Sequence, residues 1–88
     1  MIYYSQIVTK KDIPRLDKAT KLRIKTAILK KLSANPVLYG TPLNGIIRKL
    51  WKLRVGDYRV VYSIEKNNVF IWGIGHRKEI YNLILKRV

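Results

Sequence analysis

The spacing of apolar residues changes period at Asn35-Pro36, and that change limits what this 88-residue chain can fold into. Before it, Leu22, Ile24, Ile28, Leu29 and Leu32 recur every three or four residues, which predicts a helix over Lys18 to Ala34 with one apolar stripe. Pro36 ends that helix, because proline cannot continue the hydrogen-bond ladder and restricts the residue before it. After it the period is two. Ile46 to Arg54 sets Trp51 and Leu53 on one face, with Leu50, Lys52 and Arg54 on the other. Tyr58 to Glu65 sets Tyr58, Val60, Tyr62 and Ile64 against Arg59, Val61 and Ser63, and Val69 to Ile74 is a third such run. Turns at Gly56-Asp57 and Lys66-Asn67-Asn68 join the three into a meander.

The flanking segments complete the plan. Residues 2–8 are β-branched and aromatic and predict a strand, while Pro14 suits the first turn of a short helix within Thr9 to Leu16. Pro36, Gly40, Pro42 and Gly45 predict a loop from Val37 to Gly45, and Lys78 to Lys86 is long enough for a terminal helix. The order β-α-α-β-β-β-α predicts one α+β domain over residues 1–88. In it a curved antiparallel sheet carries helices on one side and keeps its other face open. Two domains would each be too small to hold a core. No apolar run approaches the ~18–20 residues of a membrane span. Met1 to Ser5 lacks the basic and apolar regions of a secretory signal, so the expected location is the cytoplasm.

Charge narrows the partners. Nineteen Lys and Arg against five Asp and Glu leave +14, where a domain of this size usually carries roughly 2 to 8. Such an excess repels itself and calls for a polyanion, RNA above all, or for an acidic protein. One His, no Cys and five scattered acids predict no metal site, no paired-carboxylate hydrolysis and no two-metal nuclease centre. No glycine-rich phosphate loop is present, and no cofactor is expected. What remains is a metal-free set: Lys52, Arg54, Arg59, His76, Arg77 and Tyr81. Lys52 and Arg54 share a strand face, and Arg59 joins them in only one of the possible registers. Together such groups suit cleavage of RNA by its own 2′-OH. That reaction needs a base, cations on the phosphoryl oxygens and an acid for the 5′ oxygen. The fork of Arg fits the second task. His76 could move a proton or simply bond locally at a strand end. Tyr81 could donate a proton, stack on a base, or pack a helix onto the sheet.

Two runs carry a family resemblance. Leu50-Trp51-Lys52-Leu53-Arg54-Val55-Gly56-Asp57-Tyr58-Arg59-Val60-Val61-Tyr62, followed by Ile74-Gly75-His76-Arg77-Lys78-Glu79-Ile80-Tyr81, resembles the RelE/ParE superfamily of bacterial and archaeal toxins. The likeness spans essentially the whole chain. In the RelE branch it implies a toxin of a type II toxin–antitoxin system that enters the ribosomal A site. There it cuts mRNA without metal, leaving a 2′,3′-cyclic phosphate. It implies Arg59 and Arg77 as phosphate-holding and transition-state residues, Lys52 as one of two active-site lysines, and Tyr81 as the C-terminal tyrosine. Leu50 stands where the family has its other lysine. Lys49 beside it belongs to the opposite face of a regular strand, which leaves room for Arg54 or His76 to contribute. The ParE branch shares the fold but inhibits DNA gyrase; Lys52, Arg59, Arg77 and Tyr81 together favour RelE. Both branches imply a cognate antitoxin with an acidic toxin-binding segment, and operator DNA bound only through that complex. The remaining alternative is a basic RNA- or ribosome-binding module without chemistry.

Overall fold

The computed structural model describes residues 1–43 and 49–87. The chain opens with strand β1 (Ile2–Tyr4), then a π-helical turn (Val8–Asp12) that runs into a 3-10 turn (Ile13–Arg15). Helix α1 (Lys18–Ala27) follows, capped by Asp17, whose carboxylate accepts the Thr20 amide at 2.7 Å. It continues as a π-helical segment (Ile28–Leu32). A short helix α2 (Pro36–Tyr39) is capped by Asn35 and leads into strand β2 (Thr41–Pro42). The meander is β3 (Leu50–Val55), β4 (Tyr58–Glu65) and β5 (Asn68–His76), and α3 (Ile80–Arg87) ends the described chain.

The five strands lie in the order β1-β5-β4-β3-β2. Every pairing is antiparallel except β1 with β5, where Ile2, Tyr3 and Tyr4 face Val69, Phe70 and Ile71 in parallel. Opposite residues share a face. Leu53 with Val60, and Trp51 with Tyr62, therefore build the face that meets Ile24, Ile28, Leu32 and Val8 in the main core. The α+β class, the meander and the stacking of the long helical segment on one side agree with the sequence expectation. α3 goes to the other face, where Ile80 and Ile84 pack on Leu50 and Val61. Gly73 makes this approach possible: a Cβ there would stand 2.7 Å from Ile84 Cδ1 and 3.2 Å from Ile80 Cδ1.

Several boundaries differ from those expected. The predicted strand over residues 2–8 stops at Tyr4, because Val8 is wholly buried in the core and the chain must turn to deliver it. The parallel β1 makes the sheet mixed rather than purely antiparallel. The expected loop after Pro36 contains α2 and β2, and β5 runs two residues past Ile74 to His76. The predicted start of β3 at Ile46, like Asn44 and Gly45 at the loop's end, lies outside the described residues. The helical stripe is narrower than drawn. Ile24, Ile28 and Leu32 are buried, but Leu22 and Leu29 are exposed. At 100° per residue these two lie about 160° and 140° round the helix from Ile24, away from the sheet.

Beyond β1 the outer edge of β5 is closed by side chains instead of a strand. Asp12 accepts the Ile74 amide at 2.9 Å and both nitrogens of the Arg87 fork at 2.7 and 2.8 Å. Arg87 also donates to the Trp72 carbonyl at 3.2 Å. Asp12 is the one buried charged residue among those described. Its bond holds the Arg87 guanidinium above its ordinary range.

Candidate active site

Register decides which predicted residues meet. Lys52 faces Val61, and Arg54 lies directly opposite Arg59, so all three cations stand on one face of the sheet. Like charges directly opposite cost a sheet roughly 0.2–1 kcal/mol. A bound anion would offset that cost. The same face receives α3, whose first turn carries Tyr81 to Lys52. The Lys52 amine donates to the Tyr81 hydroxyl at 3.3 Å and stands 5.7 Å from its ring centre. The phenol's own O–H is then free to donate elsewhere.

Arg59 and Arg77 both border the β3–β4 turn, Arg59 on the same sheet face as this lysine–tyrosine pair. Arg59 braces one terminal nitrogen against the carbonyls of Gly56 and Tyr58, at 3.0 and 2.9 Å, leaving the rest of its fork for a ligand. The Arg77 amide donates to the Asp57 carbonyl at 2.8 Å, and its side chain lies 3.9 Å from the Asp57 carboxylate. That ion pair is long and exposed, so it neutralises little. The result is a strip of positive charge running from the Gly56-Asp57 turn along Arg59 and Arg54 to Lys52 and Tyr81. Asp57 is the only acid at the turn.

Other candidates are placed elsewhere. His76 faces Tyr58 in register, edge-on at 5.6 Å, and so belongs to the face opposite Lys52. Its Nδ1 accepts the Lys78 amide at 3.2 Å, a local strand-end bond. It lines a cavity of about 270 Å³ with Arg15, Tyr58 and Glu79, away from the strip. Lys49 is exposed in the turn before β3. Leu50, where the resemblance wants a lysine, is buried beneath α3, and a charged amine there would be lost among Ile80 and Ile84. Asp12 and Arg87, which hold the far end of the helix carrying Tyr81, were invisible to spacing arguments because 75 residues separate them. Among the described residues no three His, Cys, Asp or Glu side chains gather as a metal site.

The model of a family described as the ParE toxin of the type II toxin–antitoxin system parDE matches residues 8–81. The chain belongs to this toxin family, within the RelE/ParE superfamily. No curated protein matches the sequence. RelE chains of solved structures share the fold. A chain of the RelBE2 toxin–antitoxin complex of Mycobacterium tuberculosis superposes with a TM-score of 0.80 at 23% identity, over 88% of this chain and 96% of that one. The isolated RelE toxin of E. coli gives 0.70 at 22% identity, over 99% and 96%. An archaeal RelE–RelB complex from Pyrococcus horikoshii gives 0.62 at 26%, over 86% and 92%. The family is thus reached from the ParE model by sequence and from RelE structures by fold.

Proposed function

We propose that this chain is the toxin of a type II toxin–antitoxin pair and cuts mRNA on the ribosome by metal-independent attack of the 2′-OH. The observation that carries the reading is the Lys52–Tyr81 hydrogen bond on the sheet face that also presents Arg54 and Arg59. In the proposed step the 2′ oxygen bonds to phosphorus as the bond to the 5′ oxygen breaks, giving a 2′,3′-cyclic phosphate and a 5′-OH. Lys52, having first released its ammonium proton to water, takes the 2′-OH proton, and Tyr81 gives its proton to the departing 5′ oxygen. The hydrogen bond between them then returns the proton from Lys52 to Tyr81, so the pair ends as it began. Arg59 and Arg77 hold the phosphoryl oxygens as their charge grows; one such donor is worth about 10²–10³ in rate. A well-placed acid or base is worth about 10²–10⁴.

The fold's likeness to chains of toxin–antitoxin complexes and the charge of +14 support an acidic antitoxin as cognate partner. Opposite potentials would speed its capture, and operator DNA would be reached through that complex. No described helix is long and apolar enough to cross a membrane, and action on the ribosome places the protein in the cytoplasm. A second reading, inhibition of DNA gyrase, is favoured by the ParE family match and by Leu50 in the place of a lysine.

One experiment separates them. Purified ribosomes programmed with end-labelled mRNA are treated with wild type, R59A or Y81F. Cuts ending in cyclic phosphate, reduced at least a hundredfold in R59A, support the nuclease. Intact mRNA, with accumulation of gyrase-cleaved DNA in a parallel assay, replaces it with the second reading.

A further inference from the structure

Arg23 of α1 reaches the same hairpin tip from the other side of the sheet. Its guanidinium rests on Gly56: a Cβ there would stand 2.9 Å from one terminal nitrogen and 3.4 Å from the other. Gly56 also has φ of +60°, so this position needs glycine for its backbone and for the arginine laid on it. Arg59 donates a terminal nitrogen to the Gly56 carbonyl, while the Arg77 backbone amide donates to the Asp57 carbonyl and its guanidinium lies 3.9 Å from the Asp57 carboxylate. Three guanidinium groups, from α1, β4 and the end of β5, therefore border one two-residue turn. Among the described residues Arg23 makes no salt bridge; the two ion pairs found are Arg77 with Asp57 and Arg87 with Asp12. A cavity of about 190 Å³ opens beside it, lined by Thr20, Arg23, Val55, Asp57 and Tyr58.

We infer that Arg23, on the α1 side of this hairpin tip, anchors a second phosphate of a single RNA strand, distinct from the phosphate under attack that Arg59 and Arg77 hold. The inference rests on the reading of this chain as an RNA-directed toxin and extends its contact round the tip onto α1. RNA is favoured over an acidic protein by what the tip presents. The tip displays separate planar forks, which suit phosphates strung one per nucleotide. An acidic helix would need an apolar groove. Residues 54–59 and 77 contribute no exposed large apolar side chain, and those near α1 are Leu22, Leu29 and the α2 residues Val37, Leu38 and Tyr39.

The test uses binding alone, so it stands apart from cleavage. A fluorescent 2′-O-methyl RNA oligonucleotide, which cannot be cut by its own 2′ oxygen, is titrated with the full chain across a salt series. One phosphate contact on a single strand contributes about 0.7 to the slope of log affinity against log salt, which is about fivefold at 0.1 M. R23A should therefore bind about fivefold more weakly at that salt with a slope smaller by about 0.7. K66N removes one charge at the β4–β5 turn, the other end of an eight-residue strand about 27 Å long. Asparagine tolerates the positive φ of Lys66. It should leave both values close to wild type. Equal behaviour of R23A and K66N overturns the anchor, as does an equal loss of R23A affinity for poly-glutamate. A folded R23A is checked by its melting temperature. If R23A loses RNA affinity while mRNA stays intact on ribosomes, the anchor stands and the cleavage reading falls.

Discussion

Replacing Asp12 with alanine should be among the costliest single changes in this protein. The substitution leaves the Arg87 guanidinium, whose side chain is only 12% exposed, without its carboxylate, and it strands the Ile74 amide at the edge of β5. Removing one partner of a buried pair costs about 3–5 kcal/mol, of which the orphaned amide accounts for roughly 1–3 kcal/mol. Because Arg87 keeps some water and its bond to Trp72, the lower end, about 3 kcal/mol, is expected. A chain of 88 residues has about 4–13 kcal/mol in all. At about 4–8 °C per kcal/mol for a domain this size, the midpoint should fall by roughly 12–24 °C. Thermal unfolding followed by circular dichroism measures this, and exchange of the Ile74 amide should rise about a hundredfold. D12A/R87M, which removes both charges, should recover part of the loss. The Arg87 shift is upward, so its contribution is whole throughout the neutral range and fades only above the ordinary guanidinium range; D12A should cost the same at pH 6 and pH 9. A midpoint within about 3 °C of wild type would refute the claim that this pair closes the sheet edge.

Three further outcomes follow from other contacts. Tyr62 is fully buried and donates to the Pro36 carbonyl at 2.7 Å, so Y62F should lose about 1–3 kcal/mol in urea unfolding. Burial pushes that phenol up to about 12, which favours the neutral form in the fold. Its share of stability is whole below pH 10 and lost between pH 10 and about 12, and Y62F should abolish that alkaline step. The Thr20 amide holds Asp17 below the usual carboxylate range. Its capping is therefore present above pH 3.8 and fades as pH falls through it, and a D17A protein should lack this acid-dependent fraying of α1 by amide exchange. Gly73→Ala should press on Ile84 and lift α3, costing about 1–3 kcal/mol and separating Tyr81 from Lys52. Unchanged cleavage in G73A would show that the seating of α3 does not set that pair.

The parts of the fold that sequence made legible are those written in short-range pattern. Alternation found β3, β4 and β5 because each residue's face is set by its immediate neighbours. Glycine with aspartate at 56–57 marked the hairpin for the same reason. Register is not legible in alternation, so only the pairing of Arg54 with Arg59 puts Arg59 on the face of Lys52. Ile7 and Val8 read as strand because β-branched residues suit strands, yet their place was decided by a core that local propensity does not encode. His76 drew notice through its ring and its neighbour Arg77, but its pairing with Tyr58 turns it to the other face. Asp12 lies among lysines with no partner in view along the chain, and only folding brings Arg87 to it.

That distant pairing has a consequence for when the protein comes into being. Ile2 to Tyr4 and Asp12 are made early, but their partners at Val69 to Ile71 and at Arg87 are made about 65 to 75 residues later. Synthesis proceeds from the N-terminus, so the first strand waits as unpaired chain while the helices and the meander emerge. The edge of β5 can be sealed only when α3 has been delivered. A half-made chain on its own ribosome thus lacks both the sealed sheet and the tyrosine beside Lys52.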